Sequence, residues 1–86
     1  MKTELNELIK YTETDIANNI PQASQQQEYV QQLLATVEGI LSRGGISASD
    51  IGAVKEQFSQ TLDSVPGDKN AVLVKQLKYA LAEYLV

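Results

Sequence analysis

The sequence predicts an all-α fold, a small antiparallel up-down-up-down four-helix bundle, from three observations. Apolar residues recur at helical spacing along four stretches, residues 4–19, 25–43, 48–64 and 69–86. Helix-stopping residues stand between them: Pro21, Gly44-Gly45 and Pro66-Gly67. The connections are too short to run the length of a helix, so consecutive helices must turn back on one another. A chain of 86 residues has room for one core, and residues 1–86 are expected to form a single domain.

The first helix has Thr3 as its expected N-cap, with Glu4 and Glu7 facing the positive end of the helix dipole. Met1, Leu5, Leu8, Ile9, Thr12, Ile16 and Ile20 then share one face, and Tyr11 falls on the other. Thr12-Glu13-Thr14-Asp15 offers a competing break, because β-branched residues and a second capping residue cluster there; a continuous helix is the preferred reading. Pro21 stops it, since a residue before proline is pushed out of the helical region.

The second helix is expected to start at Ser24, whose spacing to Gln27 is that of a capping box. Val30, Leu33, Leu34, Val37, Ile40 and Leu41 form its stripe, with Tyr29 on the shoulder. Gly39 lies inside it and is read as a place where a neighbouring backbone comes close. Gly44-Gly45 ends it, because glycine can take the left-handed conformation that closes a helix. Six glutamines between Gln22 and Gln32 form the one biased segment. The apolar stripe runs through it, so it reads as a solvated helix face.

For the third helix Ser47 is the N-cap, Asp50 follows three residues later, and Ile46 is placed to staple onto Ile51. Ile51, Val54, Phe58, Leu62 and Val65 make a narrow stripe. After Pro66-Gly67, Asp68 is expected to cap the fourth helix. From Ala71 to Val86 only Lys75, Gln76, Lys78 and Glu83 are polar. Leu73, Val74, Leu77, Ala80, Leu81, Tyr84 and Leu85 fill the opposite side, a stripe wide enough for the central wall of the bundle.

Composition narrows the functional classes. Cys is absent, so disulfides and thiolate ligands are excluded; His is absent, so the usual proton shuttle near neutral pH and the commonest neutral metal ligand are missing. Glu4 and Glu7 share a helix side, but a di-metal bundle needs further inward Glu and His. Gly44-Gly45-Ile46-Ser47 precedes a helix N-terminus without the Lys-Ser/Thr pair of a phosphate loop. Ser42, Ser47 and Ser49 have no base to activate them. No catalytic residue, cofactor, metal site or small-molecule substrate is predicted, and the chain is not read as an enzyme.

The net charge is −4, with the acids scattered, whereas nucleic-acid and anionic-membrane binding need clustered Lys or Arg. No window is apolar enough to span a bilayer, and the start of the sequence lacks a signal-peptide pattern, so a small acidic cytoplasmic protein is expected. Helix 2, the glycine turn and helix 3 loosely imitate the helix-turn-helix of a DNA-binding regulator, the alternative reading. Its would-be recognition helix sets Lys55 against Asp50, Glu56 and Asp63, the wrong charge for phosphates.

Protein–protein recognition is the class that remains. On the polar side of helix 4, Val72, Tyr79 and Val86 recur every seven residues, flanked by Lys75 and Glu83. This spacing suits a partner helix, and Tyr is favoured at interface centres. Tyr11 adds a similar handle on helix 1. Together these residues are the candidate surface for another protein or a second copy of the chain, in a module of adaptor, inhibitor, immunity or co-chaperone type.

Overall fold

The local rules of helix formation account for most of the architecture seen in the computed structural model, which describes residues 1–18, 25–65 and 70–85. Among them are α1 (Lys2–Asn18), α2 (Gln26–Arg43), α3 (Ala48–Asp63), α4 (Asn70–Ala80) and the short α5 (Ala82–Leu85), with no strand.

Helix α1 runs without a break through Thr12 to Asp15. Thr12 is buried in its middle, and its hydroxyl donates to the Leu8 carbonyl at 2.8 Å, so the core takes in a polar side chain whose hydrogen bond is already made. The start differs from expectation. Thr3 lies inside the helix and does not cap it, because the Met1 carbonyl already accepts from the Leu5 amide at 3.0 Å and begins the ladder a residue or two earlier. The terminal ammonium then lies 3.8 Å from the Glu4 carboxylate. The stop assigned to Pro21, with Ile20, falls outside the described residues.

Helix α2 follows Gln25, whose side chain makes no capping hydrogen bond; the capping box assigned to Ser24 falls outside the described residues. Its other end is a Schellman motif. The Gly45 amide donates to the Ser42 carbonyl, the Ile46 amide to the Leu41 carbonyl, and Gly45 sits at φ 85°. The two glycines divide the work. Gly45 supplies the left-handed backbone, whereas Gly44, at φ −79°, supplies space: a Cβ there would come within 2.5 Å of the Met1 sulfur. The close approach of a neighbouring backbone expected at Gly39 is not seen; the tight contact is at Gly44, and it is with a side chain. A Cβ at Gly39 would meet only the tip of Arg43, on its own helix, at 3.4 Å.

Ser47 caps α3 as its spacing predicts, its hydroxyl accepting from the Asp50 amide at 3.2 Å. The continuous fourth helix expected over 69–86 is instead interrupted at Leu81. The Leu81 amide still reaches the Leu77 carbonyl at 3.0 Å, but the Tyr84 amide bonds Leu81 only three residues back, at 2.8 Å. The last turn thus tightens toward 3₁₀ geometry, a common way to end a helix. The Asp68 cap and Val86 lie outside the described residues.

The main contacts run around a ring: α1 with α2, α2 with α3, α3 with α4, and α4 with α5 back onto α1. So α4 is one wall of the ring, packed most extensively on α3. Two contacts show that α1 and α2 run in opposite directions. Arg43, at the end of α2, lies 3.1 Å from Glu4 at the start of α1, while Tyr29 near the start of α2 bonds Asp15 near the end of α1. Lys55 pairs with Glu38 across α2 and α3 at 3.3 Å. Inside, Leu5, Leu41, Phe58, Leu73, Leu77 and Leu81 are fully enclosed, each on the stripe its helical period predicts.

Candidate protein-binding surface

The interior consumes one face of each helix and leaves the rest to solvent, so a recognition surface has to be sought among large apolar groups left outside. Among the described residues these are Met1, Tyr11 and Tyr79, and the two tyrosines stand well apart from the rest at 68% and 67% exposed. Tyr79 projects from the outer side of α4, one turn after Lys75 and one turn before Glu83, both exposed. With Thr61 of α3 and with Lys75, Gln76 and Lys78 it lines a shallow groove on the α3–α4 side of the bundle. Val72, one step back along the seven-residue pattern, is only half exposed and packs against the core. Val86 is not among the described residues.

Tyr11 stands elsewhere. It lines a small groove between α1 and α2 with Leu8, Thr12, Asp15, Tyr29 and Gln32. In a ring of four helices the α1–α2 side lies opposite the α3–α4 side, so Tyr11 and Tyr79 cannot serve one contact patch. Sequence periodicity puts both on outer faces but is silent on which neighbour each outer face adjoins.

Charges are distributed unevenly around the two grooves. Arg43, Lys55 and Lys78 each lie within 4.0 Å of a carboxylate: Glu4, Glu38 and Glu13 respectively. Among the described residues no carboxylate lies within that distance of the Lys75 ammonium, one turn from Tyr79. In the α1–α2 groove the Tyr29 phenol is pushed up to about 12, first by its burial and then by the Asp15 carboxylate that accepts its proton in a hydrogen bond. The Tyr84 phenol is also raised, by burial first and then by Glu83 and Asp50. Neither arrangement offers a nucleophile or a base poised near neutral pH.

A third hollow escaped the sequence. It opens between the start of α2 and the end of α3, where Gln26, Gln27 and Gln31 edge an apolar floor of Val30, Leu34 and Leu62. The glutamine-rich stretch is the only sequence signal at this place, and that composition reads equally well as a solvated face. Among the described residues no group of three or more Asp or Glu could hold a metal ion, and no helix is long and apolar enough to cross a membrane. Comparisons with models of known protein families, with curated proteins and with solved structures found no match, which leaves the chemistry of these surfaces to carry the functional reading.

Proposed function

We propose that this chain is a non-enzymatic protein-binding module, of the adaptor, inhibitor, immunity or co-chaperone kind, that engages a protein through the outer face of α4. The observation that carries the reading is Tyr79. It is two-thirds exposed on a helix whose opposite face packs into the core, and among the described residues no hydrogen bond or ion pair is made by its side chain. An aromatic ring held on a rigid helix buries much area at little entropic cost when a partner covers it, and its hydroxyl can stay hydrogen-bonded. Lys75 and Glu83 on either side supply charges that orient a partner.

The alternative, a DNA-binding regulator built on α2 and α3, draws less support from the same surface chemistry. The cation of α3, Lys55, is held by Glu38, and Asp50, Glu56 and Asp63 are all exposed. Those carboxylates would repel phosphates.

The experiment pairs the wild type with Tyr79→Glu. The variant is expected to keep its helical circular dichroism while losing self-association in sedimentation and partner capture from the source cell. Unchanged sedimentation and capture profiles would refute the reading.

A further inference from the structure

The outer face of α4 carries an order of groups that matches itself when reversed. Lys75 lies one turn before Tyr79 and Glu83 one turn after it, and all three are exposed. The Leu81 amide keeps its bond to the Leu77 carbonyl at 3.0 Å, and Glu83 follows on the short α5, past the interruption at Leu81. At three residues either side of Tyr79 stand Gln76, half-buried, and Ala82, exposed and small. We infer that the partner of this face is a second copy of the chain, docked antiparallel about a two-fold axis at Tyr79. This inference rests on the α4 reading above and names its partner.

The physical reason is charge order. In an antiparallel pair the residue four positions before the axis on one helix lies beside the residue four positions after it on the other. Lys75 of one copy therefore faces Glu83 of the partner copy, and the same contact recurs by symmetry, with the two tyrosine rings packed at the centre. Such a contact is isologous and closes at two chains. A parallel pair would set Lys75 against Lys75 and Glu83 against Glu83, so the same charges that favour one orientation oppose the other. Lys75 is also the right cation for this role, since no carboxylate among the described residues pairs with it. The net charge of −4 on each chain opposes association at long range, so the dimer forms at physiological ionic strength, where that repulsion is screened beyond ~8 Å.

Charge reversal tests the geometry directly. Sedimentation equilibrium of the full chain, taken up to ~1 mM because a face one helix wide lies at the small end of interface sizes, is expected to move from 9.4 kDa toward twice that mass. Lys75→Glu and Glu83→Lys, each alone, place like charges together at both symmetric contacts and should weaken dimerisation about tenfold or more. The double variant K75E/E83K restores both pairs in swapped order and should return to near the wild-type constant. An equimolar mixture of the two single variants should likewise associate, because every cross-chain contact in the mixed pair is again between opposite charges. Circular dichroism of each variant separates lost association from lost fold. A wild type that stays at 9.4 kDa throughout, or a double variant as weak as the singles, overturns the second-copy inference. If partner capture still depends on Tyr79 in that case, the α4 face binds a different protein and the broader reading stands; if it does not, both fall.

Discussion

The Tyr29 hydroxyl donates to Asp15 Oδ2 at 3.0 Å, joining the start of α2 to the end of α1 across the connection that precedes α2. The Tyr29 pKa is pushed up to about 12, by burial first and then by the bond to Asp15. A phenol whose folded value lies above its unfolded value of ~10 favours folding while it is protonated, and that contribution is fully present below pH ~10. It is lost as the pH rises through the folded value. The wild type should therefore lose stability between pH ~10 and ~12 more steeply than Tyr29→Phe, which has no phenol to ionise there. Urea midpoints of the two proteins across that range check this, and lysine titration, common to both, drops out of the difference. Asp15→Asn should bring the Tyr29 titration, followed by phenolate absorbance, only part of the way back, because burial remains.

Two glycines should respond in opposite ways to the same substitution. Gly45 sits at φ 85°, so Gly45→Ala forces a side chain into the left-handed region and should cost ~1–2 kcal/mol. Gly52 lies exposed inside α3 with no atom within 4 Å of a Cβ placed there. Gly52→Ala should stabilise by ~0.5–1 kcal/mol, since alanine loses less backbone freedom on entering a helix. Chemical denaturation of both variants gives the signs.

Helix α4 should show the same contrast between its two faces. Leu77 is 1% exposed, and Leu77→Ala should cost ~2–5 kcal/mol through lost burial and the cavity left behind. Tyr79→Ala, on the outer face, should leave the unfolding midpoint of the monomer within ~0.5 kcal/mol of the wild type. A large loss for Tyr79→Ala at low protein concentration would place that ring in the fold and remove it from recognition.

Where an expectation rested on neighbours along the chain, it was legible in the residues. Ser47 caps α3 because a hydroxyl there meets the amide three residues on, and Gly45 closes α2 because no other residue enters the left-handed region so readily. The Thr3 cap failed by the same local logic: the Met1 carbonyl accepts from Leu5, and a backbone acceptor competes equally well for the helix start. The Gly39 expectation failed for a different reason. A glycine's spacing cannot say whether another helix passes nearby, and the side chain that does press on a glycine, Met1 on Gly44, comes from the residue just before α1. The candidate surface was legible as outward-facing positions on α4, while the hollow edged by Gln26 and Gln31 was not, since it exists only where three helices meet.

The sequence by itself determined which side of each helix turns inward, because a helix places residues three and four apart on one face whatever its neighbours are. That is enough to select Leu5, Val37, Phe58 and Leu77 for the core and to leave Tyr11 and Tyr79 outside it. Only the tertiary structure decided what each outer face adjoins. Tyr11 looks onto the α1–α2 groove beside Tyr29, Tyr79 onto the α3–α4 groove beside Lys75, and Lys78 reaches Glu13 on α1. These relationships depend on how far each helix is rotated and slid against its neighbours. Rotation and slide are settled by the fit of side chains distant in the chain, which no periodicity within a single helix encodes.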